Sequence, residues 1–170
     1  MLRPLNDIIK MFSAWPDCSF DPSAGLPSIE PPLRLPDDLH AYYSQYGEGR
    51  LFGKHSPTYR VVAPNDLVQV HYAILGEWVE EDPPESSMYA LIDCNDSNYV
   101  AIDLSPERCG WMYDVFHETV GDLKRYPIIA KSFTEFMNGM VNGNGRSYWL
   151  TPFFQNYGYA VDPERPSAAG

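Results

Sequence analysis

The stretch MYALIDCNDSNYVAIDL, residues 88–104, decides the fold. Its first seven residues are rich in β-formers, and so are its last six. Between them stand Asn95, Asp96, Ser97 and Asn98, side chains that favour tight turns because they hydrogen-bond nearby backbone. The pattern predicts a strand over 88–94, a turn, and a returning strand over 99–104. Downstream, SPERCG (105–110) reads as a second turn and WMYDVFHE (111–118) as a third strand. TVGDLKRYP reads as a loop, and IIA (128–130) as a short fourth strand. An antiparallel meander follows from this order.

Helices flank it. Ser132, Phe133, Thr134 and Glu135 form a capping box, in which the Ser hydroxyl and the Glu carboxylate each satisfy an exposed backbone N–H of the other. Phe133, Phe136, Met137, Met140 and Val141 keep helical spacing, and NGNG (142–145) stops the helix. Upstream, Pro64-Asn65-Asp66 opens a helix to about Leu75, apolar around most of its circumference. TYRVV (58–62) is β-rich, and EGRLFGKHSP (48–57) reads as loop. A further helix starts near Pro36, with Asp37 and Asp38 matching the dipole of its first turn and Leu39, Tyr42, Tyr43 and Tyr46 as its stripe. Leu5, Ile8, Ile9 and Phe12 line a first helix over 5–14. Between these two helices, Pro16, Pro22, Pro27, Pro31, Pro32 and Pro36 exclude helix interior and central strand, which leaves an extended linker or wrapping arm. The fold class is therefore α+β, a single mainly antiparallel sheet with helices packed on it.

Length and charge bound the function. A chain of 170 residues buries a core without staples. Its three cysteines, Cys18, Cys94 and Cys109, form no CxxC and no even set, so no disulfide framework is expected. No apolar run reaches membrane-span length, and Asp7 and Lys10 interrupt any signal core at the start, which predicts a cytoplasmic protein. Twelve basic residues against 23 acidic ones give a net charge of −11. Such a surface repels phosphate backbones and anionic membranes, so neither nucleic acid nor membrane is an expected partner. A basic protein is, because opposite charge steers encounter.

The acid is concentrated. Residues 77–118 hold eleven carboxylates against Arg108 alone. Aromatic residues interleave with them. Trp111 and Tyr99 are assigned to the core, where large rings fill a sheet, and Trp78 to the surface. Acids for steering and aromatics for anchoring nominate Glu77, Trp78, Glu80, Glu81, Asp82, Asp96, Tyr113, Asp114 and Glu118 as partner-binding residues. The alternative is a solvated acidic face that serves solubility. The oligomeric state is left open.

Catalytic signatures do not emerge. His40, His55, His71 and His117 form no HxH, no HExxH and no Cys/His cluster, and Asp114, His117 and Glu118 would not share one strand face. No metal or cofactor is expected. There is no G-x-S-x-G and no phosphate loop. Asp93 beside Cys94 disfavours a thiolate. An acid/base hydrolase would need two carboxylates with separated pKa values in one cleft.

Several strings, in order, resemble the SUKH superfamily. Leu35-Pro36-Asp37-Asp38-Leu39 through Tyr46-Gly47 resembles its opening, and Tyr99 to Leu104 its central strand. Gly110 to Tyr113, then His117-Glu118, resemble the next strand and its end. Ile129 to Phe136 resembles the closing strand-to-helix junction, and Tyr148-Trp149-Leu150 with Tyr157-Gly158 a tail of some members. The resemblance covers about residues 35–160, the expected SUKH-like domain. It leaves an N-terminal helix and proline-rich arm (1–34) and a loose C-terminal tail (161–170). It implies one curved antiparallel sheet and no catalytic motif. Many bacterial members are immunity proteins that bind and neutralise a toxin, often a nuclease or deaminase, and a fungal member regulates cell-wall synthesis. The implied function is non-catalytic toxin binding. A general regulatory interaction module is the alternative. Toxin-binding surfaces differ between members, so no binding residue transfers. Residues 1–34 and the acidic loop 77–87 depart from the family pattern.

Overall fold

The computed structural model describes residues 1–77, 83 and 85–161. Seven strands form one antiparallel sheet in sequence order: β1 (Ser19–Pro22), β2 (Tyr46–Leu51), β3 (Tyr59–Val61), β4 (Met88–Asp93), β5 (Tyr99–Asp103), β6 (Met112–Val115) and β7 (Ile128–Ala130). The α+β expectation holds. The hairpin of β4 and β5 pairs Met88 with Asp103 and Asp93 with Tyr99, with a bulge between Ala90 and Ile92. Its turn is set by side chains: Asp93 accepts from the Asn95 amide at 2.8 Å, and Asp96 from the Asn98 amide at 3.1 Å.

Side-chain alternation sends Val100, Ile102 and Met112 to one face, and Ala101, Tyr113 and Val115 to the other. Both faces are covered. The first carries α1 (Leu5–Ser13), α2 (Asp37–Gln45) and α4 (Phe133–Gly143), whose apolar stripes close the larger core. The second carries α3 (Val70–Leu75), Tyr126 and Ile128. Residues 1–34 supply α1 and β1 to this same core and sheet; Ile8, Ile9 and Phe12 are buried, and Arg3 donates to Asn138 and Asn142 on α4.

The structure corrects four local readings. The loop expected at 48–57 begins as β2. Glycine weakens a strand considered alone, but a Cβ at Gly49 would lie 2.7 Å from the Tyr42 hydroxyl and 3.0 Å from the Phe20 ring, so Gly49 serves close packing. The single helix expected over 64–75 is split. A 3-10 turn at Pro64–Asp66 is followed by extended chain, because Val68 accepts from Ala90 at 2.8 Å and Gln69 bridges Tyr89. Pairing with β4 outcompetes local helix propensity there. The third strand, expected to 118, stops at Val115, and His117–Thr119 form a 3-10 turn. Asn98 holds that turn by accepting from the His117 amide at 2.9 Å. Trp111 and Tyr99, expected in the core, are only half-buried and pack against its edge. Arg108 and Lys131 each lie within about 5 Å of the Trp111 ring centroid.

The capping box is present in modified form. Ser132 Oγ accepts from the Glu135 amide at 3.0 Å, but Glu135 reaches the amide of Lys131, at 2.8 Å, rather than that of Ser132. A second cap comes from far away in sequence. Asp38 on α2 accepts from Thr134 N at 2.8 Å, from Thr134 Oγ1 at 2.9 Å and from Leu39 N at 2.9 Å. One carboxylate thus ties two helix N-termini, where negative charge is favoured. Asp38→Ala is expected to destabilise the fold by about 2 kcal/mol, with Asn recovering part of the loss. Urea midpoints measure it, and an unchanged midpoint would show that the tie contributes nothing.

Candidate functional site

The meander brings two of the nominated acids together. The β4–β5 turn carries Asp96, and the register Val100 to Asp114 sets the end of β6 beside that turn. The chain after α4 reverses through Asn144 and Gly145, both left-handed, and lays a 3-10 turn, Tyr148–Leu150, against the same place. Between these elements lies a cleft of about 330 Å³, with Asp96, Asp114, Asn98, Phe116, Trp149 and Leu150 in its wall.

Its electrostatics differ from those of the β1 edge. Toward the β1 edge, carboxylates are neutralised. Arg60 pairs with Glu48 at 2.7 Å, Asp93 at 3.2 Å and Asp66 at 3.5 Å, and Arg50 pairs with Asp21 and Glu48. Among the described residues, Asp96, Asp114 and Glu118 form no ion pair. Burial raises the Asp114 carboxyl to about 6; Asp96 pushes the same way, and the Trp149 indole N–H pulls against them. That N–H is enclosed and has no hydrogen bond of full geometry. Burial also raises the Cys94 thiol, reinforced by Asp96, Asp114 and Asp93, so it is a poor nucleophile.

The rim is apolar and exposed. Phe116 is 40% exposed, Leu150 70%, and Phe153, three residues on, 94%. An acidic centre edged by exposed apolar side chains has the composition of a contact surface rather than of a resting one.

The other nominated residues fall elsewhere. Glu118 is exposed on the 3-10 turn that Asn98 anchors, next to the cleft. Glu77 is exposed just beyond α3, which packs on the opposite sheet face. Tyr113 is fully buried on that opposite face, 3.4 Å from the Asp103 carboxylate, so its ring is core and not contact surface. Trp78, Glu80, Glu81 and Asp82 lie outside the described residues. Of the remaining acids in the run, Glu85 and Asp103 are buried and Asp93 is held by Arg60. Trp149, Leu150, Phe116 and Phe153 were not nominated. A signal for three of them stands in the apolar run WLTPFF (149–154), which follows a helix stop yet has no helical or alternating period.

Among the described residues no group of three His, Cys, Asp or Glu side chains is arranged to hold a metal, and no helix is long and apolar enough to cross a membrane.

Comparison with known proteins adds the family. The SMI1 / KNR4 family (SUKH-1) matches residues 32–139. Immunity protein YokJ of Bacillus subtilis (strain 168) is 30% identical over 159 residues, 93% of this chain and 96% of that protein. A match of that span takes in the 147–150 turn, which the family match leaves out. No solved structure matches. The meander and its flanking helices carry the family pattern from the Asp38 region into α4, and the likeness to a relative runs almost end to end: the chain belongs to the SMI1 / KNR4 family (SUKH-1).

Proposed function

We propose that this chain is a cytoplasmic immunity protein that binds a toxin, a basic nuclease or deaminase, and neutralises it by occlusion. The observation that carries the reading is the near end-to-end similarity to an immunity protein. The unpaired Asp96, Asp114 and Glu118 beside exposed Leu150 and Phe153 support a contact face there. Unscreened acids attract a basic partner and speed encounter, and the apolar rim slows release. Glu77, Trp78, Glu80, Glu81 and Asp82 form a second acidic stretch that belongs to the same proposal.

Co-expression tests it. Cells carrying a toxin encoded beside this gene should survive only when this chain is present, and the two proteins should co-purify. Reversing Asp96 and Glu118 to Lys together is expected to slow association about tenfold at low salt, with the difference shrinking as salt is raised. Reversing Glu80, Glu81 and Asp82 reports on the second stretch in the same way. Survival without this chain, or association indifferent to all five charges, would remove the reading. Several partners of modest affinity and no protection would support a regulatory interaction module instead.

One observation favours a second reading. Asp114, with its raised pKa in a cleft that also holds Asp96, is half of what acid/base hydrolysis requires. Hydrolytic turnover by the purified chain, abolished in Asp114→Asn, would establish it.

A further inference from the structure

We infer that the cleft between the β4–β5 turn, the end of β6 and the 147–150 turn is a socket for one arginine side chain of the protein partner. The inference rests on the toxin-binding reading and says what that surface grips.

Size comes first. At about 330 Å³ the cleft lies at the bottom of the range for small-molecule sites, so it suits a single side chain better than a large ligand. Charge comes second. Asp96 from the β4–β5 turn and Asp114 from β6 line it, together with Cys94, Asn98, Pro57 and Ser147. Among the described residues, no Lys, Arg or His lines it. The two carboxylates therefore face each other's charge without a counter-ion, and an incoming cation completes the set.

An independent sign that the site is unfinished comes from Trp149. It is 9% exposed, it lines the cleft, and its indole N–H acts on the Asp114 carboxylate without making a hydrogen bond of full geometry. Buried donors are almost always paired. A guanidinium that fixes the Asp114 carboxylate through two parallel N–H···O bonds leaves that carboxylate lone pairs for the indole N–H as well.

The wall selects arginine over lysine. Phe116, Trp149 and Leu150 offer apolar and aromatic surface, which a flat, weakly hydrated guanidinium tolerates and a compact ammonium does not. Leu150 and the adjoining Phe153 would then be covered by the partner around the ion pair, keeping water from it.

The test needs no toxin. The ¹⁵N-labelled protein is titrated with N-acetyl-arginine amide, N-acetyl-lysine amide or N-acetyl-citrulline amide at constant ionic strength, and NMR follows the Trp149 indole and the Asp96 and Asp114 amides. Arginine should shift these signals saturably in the millimolar range. Lysine should do so several-fold more weakly, and neutral citrulline barely at all. Asp114→Asn should reduce the arginine response at least fivefold while signals from α1 and β1 stay in place, which shows that the variant is folded. Equal responses to arginine and citrulline, equal responses to arginine and lysine, shifts centred elsewhere, or no shift up to the solubility limit would each overturn the socket. Such a failure leaves the immunity reading standing, since that one is decided by protection of cells; a positive titration with no protection would remove the immunity reading and leave the socket.

Discussion

Asp114→Asn should make this protein more stable at neutral pH. Burial lifts the Asp114 carboxyl from its ordinary 3.8 to about 6, so the folded state holds that proton more tightly than the unfolded chain does. The contribution of this group to stability is present in full below the unfolded value. It is lost as pH rises through about 6. At pH 7 the folded protein carries an ionised, poorly solvated carboxylate near Asp96. The gap between the two values corresponds to at most about 3 kcal/mol, and partial exposure reduces the expected gain to about 1–2 kcal/mol. Asparagine keeps the shape and removes the charge. Its melting temperature should exceed wild type by about 4 °C at pH 7.5, and the two curves should converge toward pH 4. Under the proposed function, the same substitution should also weaken partner binding and reduce the arginine response at least fivefold. Stability gained where binding is lost is the pattern of a site kept at the fold's expense. A variant less stable than wild type at pH 7.5 would mean that Asp114 is a structural anchor, and the cleft would lose its main argument.

The sequence made the centre of the molecule legible and left its margins obscure, for physical reasons that can be named. Residues 88–104 announce a hairpin because local propensity, turn chemistry and burial agree there, and the observed strands, Met88–Asp93 and Tyr99–Asp103, follow that expectation closely. At β2 they disagree. Gly49 weakens a strand considered alone, and only the proximity of Tyr42 and Phe20 explains it. Val68 and Gln69 sit in a helical pattern and pair with β4 instead, a contact that no local window contains. The acidic run was visible as a count, but a count does not sort its members. Arg60, far upstream, takes Asp93, and the core takes Asp103, which leaves Asp96 and Asp114 to meet across a turn. Trp149 and Leu150 belong to a segment without periodicity. Their place is set by where the chain re-enters the fold after α4.

That re-entry depends on one missing side chain, and Gly139→Val should undo it. Gly139 sits inside α4, where glycine is a poor choice on propensity alone. A Cβ there would lie 2.5 Å from Cε1 of Tyr148 and within 2.9 Å of two further ring atoms. The ring has little freedom to retreat. Its hydroxyl donates to the Ile129 carbonyl at 3.1 Å, and Trp149 and Phe154 pack edge-on against it. Valine is only slightly better than glycine as a helix former, so the steric conflict sets the sign. We expect a loss of about 3 kcal/mol, concentrated in the segment after Gly145 rather than spread over the meander. Trypsin should cut after Arg146 much faster than in wild type. The cleft should fail as well, with Trp149 and Leu150 displaced and the arginine response gone, although no residue lining the cleft has been changed. Gly143→Ala, one turn along the same helix, is the control. Its Cβ would meet Tyr148 at 3.6 Å, an ordinary contact, so it should be neutral or slightly stabilising. If both variants behave alike, the effect belongs to helix propensity and not to the Tyr148 ring. If only Gly139→Val releases the tail, the contact face depends on how closely one aromatic ring can approach a helix backbone.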